Sequence, residues 1–195
     1  MKTPGQNRRA KMSERKLDTD RLDAFISQFP VYEYRILDTS EIHAEERVRT
    51  ICMQECERYG STWACPPAVG TLSECEERIH GYAHALFFSS VAEVHDIMDM
   101  EEMLKTRRAH EQLTTDVGQF LEQEGFEIFI LSTESCDICP ECAYPQKKPC
   151  RHPEYMHPCL ESHGVVVQEI VERQQMEYTL GGNTILWFSM ICYGA

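Results

Sequence analysis

The chain has 195 residues, 42% of them hydrophobic, which excludes a largely disordered protein and allows one domain with a substantial core. It contains 19 Lys and Arg residues and 32 Asp and Glu residues, so the formal net charge is −13 at pH 7. A field of this sign repels phosphate backbones, and we therefore expect no nucleic-acid partner.

The first twenty residues contain no apolar stretch of the kind that a secretory signal has. No run of about 18 apolar residues follows them, so we expect no membrane span. Residues 1–25 are predicted to form a flexible polar arm, and residues 26–195 a single α/β domain. Together these features predict a cytoplasmic protein.

The first half of this domain is predicted to contain a strand, two helices and a second strand. Partial alternation of apolar residues predicts the first strand over residues 31–37. Thr39 and Ser40 are suitable caps for the helix that follows. A short helix over residues 71–79 and a buried strand over residues 83–91 come next.

The first predicted helix carries one apolar stripe. Ala44, Val48, Ile51 and Cys52 recur at helical spacing, and Gly60 is well placed to end the helix. We therefore expect this face of the helix to be buried.

The second half is predicted to begin with a long helix over residues 96–124, which Gly125 stops. A strand over residues 126–131 leads directly into a cysteine-rich loop. The inner face of the long helix is predicted to consist of Met100, Met103, Leu104, Leu113, Val117, Phe120 and Leu121. Three segments follow the loop: a helix over residues 154–163, a segment over residues 165–174 that fits a strand or a helix, and a strand over residues 185–191.

Strands and helices therefore alternate along the chain. This order predicts an α/β fold, or a mixed α+β fold, with a central sheet of about four strands and helices packed on it. The cysteine-rich loop is attached to one strand of this sheet.

Ten cysteines are a large number for a chain of this length without an export signal. Glutathione and thioredoxin keep cytosolic thiols reduced, so disulfides explain these cysteines poorly. Clustered, reduced thiols instead indicate metal binding, and the domain over residues 26–195 is predicted to be a metal-binding domain.

Four cysteines follow the pattern C-x2-C-x2-C-x7-C, namely Cys136, Cys139, Cys142 and Cys150. Three thiols at this spacing fit three corners of a [4Fe–4S] cubane, and the fourth, after a turn, supplies the last ligand. Zinc is the competing metal, but structural zinc sites usually combine two C-x2-C pairs across a longer loop. A [4Fe–4S] cluster is therefore the preferred cofactor, and zinc is the alternative.

Positive charge lies beside the last of these cysteines. Lys147, Lys148 and Arg151 can offset the negative charge of four thiolates and raise the reduction potential of a cluster. They are equally compatible with ordinary surface cations.

A second set of thiols has the spacing Cys52-x3-Cys56-x8-Cys65-x9-Cys75. Cys52 and Cys56 share one helix face, and Cys65 lies in an irregular loop before two prolines. We expect Cys52, Cys56 and Cys65 to bind metal, either as a second cluster or as a site with an open coordination position. The alternative for Cys52 and Cys75 is ordinary packing, since buried free cysteine is common.

The remaining candidates are predicted to be structural. Cys192 ends an apolar strand and is expected in the core. Cys159 follows Pro158 at a predicted helix start, which lowers a thiol pKa, yet a structural role is favoured. Three histidines near the cluster are expected to be structural or exposed rather than ligands, namely His152, His157 and His163.

Two stretches carry a family resemblance: Cys52-x3-Cys56 with Tyr59-Gly60, Trp63 and Cys65-Pro66-Pro67, and Cys136-x2-Cys139-x2-Cys142 with Cys150-Arg151-x-Pro153. Together they resemble the cysteine-rich predicted metal-binding proteins of domain of unknown function 2284, over about residues 30–195. The resemblance implies a bacterial or archaeal, often anaerobic, metal-binding protein. By matching positions, it implies ligand roles for Cys52, Cys56, Cys65, Cys136, Cys139, Cys142 and Cys150, but not for Cys75 or Cys159.

Three functions are compatible with these motifs. A cluster near the surface would pass single electrons to a redox partner protein, on which the acidic surface docks. In an enzyme, such as a reductase or a reductive activator, the second cysteine set would bind the reactive metal. A structural zinc protein that serves as an interaction module is the third alternative.

Overall fold

The computed structural model describes residues 15–194, which form five helices and four strands. The helices are α1 (Thr19–Ile26), α2 (Glu46–Glu55), α3 (Leu72–His80), α4 (Met100–Gln123) and α5 (Val167–Arg173). The strands are β1 (Val31–Asp38), β2 (His84–Glu93), β3 (Glu127–Leu131) and β4 (Thr184–Gly194). Short 3-10 turns cover Thr39–Glu41, Tyr144–Gln146 and Glu161–His163. No helix in this part of the chain is both long and apolar enough to cross a membrane.

The four strands form one antiparallel sheet in the order β1-β2-β4-β3. The central pair runs from the partners His84 and Tyr193 to the partners Glu93 and Thr184. β1 and β3 are therefore the edge strands. The predicted mixed α/β fold with a central four-stranded sheet is confirmed.

Alternate residues of the central strands fill two apolar layers, one on each face of the sheet. Phe87 and Met190 belong to the layer that α5 and the end of α3 cover. Phe88 and Ile191 belong to the layer that α1 and α4 cover. Because both faces are buried, β2 and β4 are nearly continuous apolar runs rather than alternating sequences.

Helix α4 packs closely on β3. A Cβ at Gly118 would lie 2.7 Å from Cδ1 of Ile130, so a larger residue there would force the Ile130 side chain to move. The predicted inner face is correct from Leu113 onward, but it is wrong for Met100 and Leu104, which are exposed. The reason is that the N-terminal turns of α4 extend beyond the apolar layer. Leu113 is the first residue of α4 that belongs to this layer.

The first predicted helix is wrong in its bounds and in its burial. Asp38 accepts a hydrogen bond from the Ser40 amide at 2.9 Å and caps a 3-10 turn, and α2 begins only after that turn. None of the ten residues of α2 is buried, and Ile51 is 54% exposed. The helix lies on the surface, with the sulfur of Cys52 placed 3.9 Å from the carbonyl oxygen of Glu161.

The predicted helix over residues 154–163 is also wrong. A residue that precedes a proline avoids the helical conformation, which disfavours a continuous helix through Pro158. The Pro158 carbonyl instead accepts a hydrogen bond from the Ser132 amide at 2.8 Å, and Ser132 and Cys159 form a parallel bridge beside the end of β3. The ambiguous segment over residues 165–174 is helical as α5.

The predicted polar arm covers residues 1–25, of which residues 1–14 lie outside the described part of the structure. Residues 19–25 belong to α1, whose first turn is capped by the Asp18 carboxylate. Leu22 of this helix is fully buried in the same layer as α4. The structure therefore includes this part of the predicted arm in the folded domain.

Candidate metal centre

The cysteine loop (residues 132–151) follows β3 and is held at its start by Arg107 of α4. The Arg107 guanidinium, 3% exposed, donates to the Ser135 carbonyl at 3.3 Å and forms an ion pair with Asp137. A second carboxylate, that of Glu134, lies 3.5 Å from Arg107 Nε. No sequence pattern marks Arg107, because its contacts are with residues far along the chain.

The other end of the cysteine loop is tied by two side chains. Arg151 donates to the Glu141 carbonyl at 2.9 Å, which joins the segments before Cys142 and after Cys150. Trp63 donates from Nε1 to the Lys148 carbonyl at 3.0 Å, and its ring meets that of Tyr144 edge to face. The loop is thus fixed at both ends, and between them its backbone is irregular except for the 3-10 turn over Tyr144–Gln146.

The four cysteines of this loop are free and half-buried: Cys136, Cys139, Cys142 and Cys150. Burial raises the pKa of the Cys136 thiol, the Ile138 amide opposes this by donating to its sulfur, and the nearby thiols of Cys150 and Cys142 add to the rise. These three thiols therefore share one electrostatic neighbourhood. An amide that donates to a cysteine sulfur is a usual feature of iron–sulfur sites.

The second set of thiols lies on α2 and the loop after it. Cys52 is in the helix, Cys56 follows it directly, and Cys65 is buried in the loop. Burial raises the pKa of the Cys52 thiol, and the thiols of Cys56 and Cys65 add to this rise. The structure therefore brings together the three cysteines that the sequence singles out.

Ser135 connects the two sets. The Cys65 thiol donates to the Ser135 hydroxyl at 3.1 Å, and the Thr62 hydroxyl lies 3.3 Å from the same oxygen. Because Ser135 precedes Cys136, the second set adjoins the cysteine loop.

Cys159 lies beside the second set, where the sequence favoured a purely structural role. Its buried sulfur accepts a hydrogen bond from the Ser162 amide at 3.3 Å. Burial, followed by the charges of the Glu161 carboxylate and the Cys65 thiol, raises the pKa of Cys159 well above its usual value. The sulfur of Cys159 is thus a fourth sulfur close to Cys65. A metal ion binds this sulfur less readily while the thiol stays protonated.

Arg49 of α2 is a further residue that sequence reasoning missed. It donates to the Gly70 carbonyl at 2.9 Å and to the Ser162 carbonyl at 3.0 Å, and its Nη2 lies 3.5 Å from the sulfur of Cys75. Burial raises the pKa of Cys52, and the Arg49 charge opposes that rise. The guanidinium therefore supplies positive charge beneath the second set, and Cys75 packs against it in α3.

The remaining candidates lie in structural positions. Cys192 is fully buried in β4, and burial raises its pKa to about 12, which confirms the predicted core location. His163 is buried, with Nε2 3.1 Å from Arg78, and burial lowers its pKa to about 3. His152 and His157 are half-buried, and burial lowers the pKa of His157.

The distances between cysteine sulfurs show whether the thiols are already arranged around a single metal ion. Among residues 15–194, one group of three His, Cys, Asp or Glu side chains has donor atoms within 4.8 Å of one another, and it contains no cysteine. The sulfurs of a tetrahedral zinc site lie about 3.8 Å apart, since each Zn–S bond is about 2.3 Å. In a cubane each thiolate binds a different iron, so the sulfurs are farther apart. Within residues 15–194, the cysteines therefore do not form a ready three-thiol site for a single ion.

A cleft adjoins Cys136. A cavity of about 300 Å³ is lined by Cys136, by Glu111 and by other residues of α4. A larger cavity of about 670 Å³ shares Tyr155 and His157 with it and continues along β3 to Phe129. Within the described residues, Oε1 of Glu111 is buried without a hydrogen-bond partner. The larger cavity therefore offers a small molecule apolar walls, and the smaller cavity beside Cys136 is lined mostly by polar side chains.

The family model described as "Predicted metal-binding protein (DUF2284)" matches residues 35–193 of this chain. Comparisons with curated proteins and with solved structures give no match. The matched range contains all ten cysteines, including the two sets that the fold brings side by side. The resemblance seen in the sequence is thereby confirmed, and the chain belongs to the DUF2284 family of predicted metal-binding proteins.

Proposed function

We propose that this protein binds an iron–sulfur cluster and takes part in electron transfer or redox chemistry. The supporting observation is a loop of four free, half-buried thiols, at the spacing C-x2-C-x2-C-x7-C, that is tied at both ends. The proposed ligands of a [4Fe–4S] cluster are Cys136, Cys139, Cys142 and Cys150. The proposed ligands of a second metal centre, which is a second cluster or an open site, are Cys52, Cys56 and Cys65.

A [4Fe–4S] cluster supplies a one-electron donor and acceptor. The chain's own groups adjust the charge around it. The Ile138 amide donates to the Cys136 sulfur, and Lys147 and Lys148 are exposed next to Cys150. Donors and cations around the sulfurs stabilise the more negative, reduced form. Arg107 is committed to carboxylates, so its role is to hold the loop.

The partner that we propose is a redox protein with a basic docking surface. The chain has a net charge of −13, which attracts a partner of opposite sign and repels nucleic acid. The cysteine loop is only half-buried, so electrons have a short path from it to a docked protein.

The test is metal analysis of protein purified without oxygen. Iron and sulfide in equal amounts, about four of each per chain, with visible absorption that dithionite bleaches, are expected for one [4Fe–4S] cluster. About twice these amounts are expected if the second set also holds a cluster. Zinc without sulfide would contradict the proposal and support the structural zinc alternative.

The cleft beside Cys136 favours a second candidate function, that of a reductase. Its larger cavity, about 670 Å³, lies in the size range of small-molecule sites. Thr115 lines both cavities, so Thr115→Trp would fill the cleft without changing a cysteine. A reductase requires that small organic acceptors reoxidise the reduced wild-type protein faster than the variant at equal iron content. Equal rates would support an electron carrier.

A further inference from the structure

A cluster of two histidines and one glutamate lies apart from the cysteines, on the exposed side of α3. Glu76 and His80 are one helical turn apart on the same face, and His43 faces them from the segment before α2. One donor atom from each of the three side chains lies within 4.8 Å of the others. Residues distant in the chain thus place three metal-binding groups together.

The hydrogen bonds of this cluster resemble those of metal sites. His80 Nε2 lies 2.8 Å from the Ile42 carbonyl oxygen. A carbonyl only accepts, so Nε2 carries the proton and Nδ1 keeps a free lone pair. A ligating histidine usually donates its other ring N–H in this way, which fixes the tautomer. The Glu76 carboxylate is likewise oriented, by the Ala44 amide at 3.3 Å.

From this geometry we propose that His43, Glu76 and His80 form a binding site for a divalent transition metal, with Zn²⁺ as the natural occupant. Two imidazole nitrogens and one carboxylate oxygen are a borderline donor set that suits zinc, whereas magnesium and calcium require mostly oxygen. The three protein ligands leave a coordination position for water. This site shares no residue with the cysteine centres, so it does not depend on the function proposed for them.

The location gives this ion a structural consequence. His43 lies just before α2, the helix that carries Cys52 and has no buried residue. A bound ion would join that segment to the end of α3. The bound ion would therefore restrict the motion of α2, the helix that carries Cys52 of the second cysteine set.

The test is a calorimetric titration of Zn²⁺ into anaerobically purified protein with its cysteine-bound metals in place. We expect one equivalent to bind, and His43→Ala and Glu76→Gln to weaken binding roughly tenfold or more. His43 is exposed, and glutamine keeps an acceptor for the Ala44 amide, so both variants should fold. His95→Ala is the matched control, because His95 is an exposed histidine paired with one glutamate, Glu102.

Co²⁺ provides a second readout. Cobalt bound by nitrogen and oxygen gives weak visible bands, whereas thiolate ligation adds intense charge-transfer absorption. Weak bands that disappear in the His43→Ala variant but persist in the His95→Ala variant support the site. Equal zinc affinity in the wild type and all three variants, or a thiolate spectrum for the added cobalt, would overturn it.

Discussion

Depth below the surface and backbone setting distinguish Cys75 and Cys192 from the four cysteines of the cysteine loop. Cys75 and Cys192 are fully buried inside a helix and a strand, whereas the cysteines of the cysteine loop are half-buried on irregular backbone. A thiol must lose its proton to bind metal, and burial at Cys192 raises the pKa to about 12. Position in the fold therefore disfavours ligation at Cys192 and permits it in the loop.

Cys139→Ser is expected to remove most of the iron of the cysteine loop, because the variant lacks one of four proposed thiolate ligands. The matched control is Cys192→Ser, the same chemical change at a core position, which should leave the iron content unchanged. Iron per chain after anaerobic purification is the measurement. An equal loss in both variants would mean that misfolding rather than ligation explains the result.

Cys65→Ala is expected to reduce the metal content more than Cys75→Ala. The Cys65 sulfur lies beside Ser135 and close to Cys52, at the junction of the two cysteine sets. The Cys75 sulfur packs against Arg49 inside α3. Metal analysis of both variants is the measurement. The assignment of Cys65 as a ligand and Cys75 as a packing residue is wrong if metal binding requires Cys75 but not Cys65.

Helix α4 and the cysteine loop are joined chiefly by one buried guanidinium. Arg107→Gln leaves Asp137 and the Ser135 carbonyl without their charged partner, and we expect it to lower the free energy of unfolding by about 1–3 kcal/mol. Arg108 also approaches Asp137, at 3.8 Å, but it is exposed, so Arg108→Gln should change stability by less than about 0.5 kcal/mol. Urea denaturation of both variants is the measurement, and similar losses would contradict the assigned role of Arg107.

The cysteine loop and the segment after it contain few buried residues. Between residues 136 and 158, Ala143 and Pro158 are the buried ones, so apolar packing contributes little there. Metal that binds only the folded chain stabilises this region by linkage. We therefore predict that metal removal lowers hydrogen-exchange protection over residues 136–158 first, while the sheet keeps its protection. Unchanged protection over residues 136–158 would contradict this prediction.

Two buried histidines link the stability of the whole molecule to pH. His110 lies between Ser90, at 2.6 Å, and Ser189, at 2.8 Å, and burial lowers its pKa from 6.5 to about 3. Burial lowers the pKa of His163 to about 3 as well. Both rings are therefore neutral in the folded protein over most of the pH range.

The folded pKa of His110 is lower than the unfolded value, so its contribution is complete above pH 6.5 and declines as the pH falls toward about 3. The maximum slope is about 1.4 kcal/mol per pH unit for each such histidine. Burial raises the pKa of Glu111 and Glu161, and these carboxyls act in the opposite direction. The net slope alone is therefore not diagnostic, and a variant comparison is required.

His110→Gln is expected to reduce the loss of unfolding free energy between about pH 7.5 and pH 5.5, since one histidine no longer takes up a proton on unfolding. Urea denaturation at both pH values measures this difference. His84→Gln, a change at an exposed histidine at the start of β2, should keep the wild-type slope. A wild-type slope in the His110 variant would contradict the role of the buried ring.

Local pattern accounts for most of the elements and for the choice of cysteines. Partial alternation located β1, apolar runs located the other three strands, and a short helix was predicted over residues 71–79, where α3 lies. The thiol spacing in the cysteine loop is itself local, so the prediction that this loop binds metal could be made from the sequence alone. These features depend on residues a few positions apart, which is the range over which periodicity and spacing are informative.

Contacts between distant residues decided the rest. The Cys65 thiol meets Ser135, 70 positions away, and this contact sets the two cysteine groups side by side. Pro158 pairs with Ser132 instead of forming a helix, and α2 lies on the surface despite its apolar stripe. Each of these contacts depends on the position of a second segment that is distant in the sequence. The local sequence does not specify that position, because it is set by the packing of the layers of the fold. For that reason the sequence determined which residues are available to bind metal, and the tertiary structure decided which of them lie together.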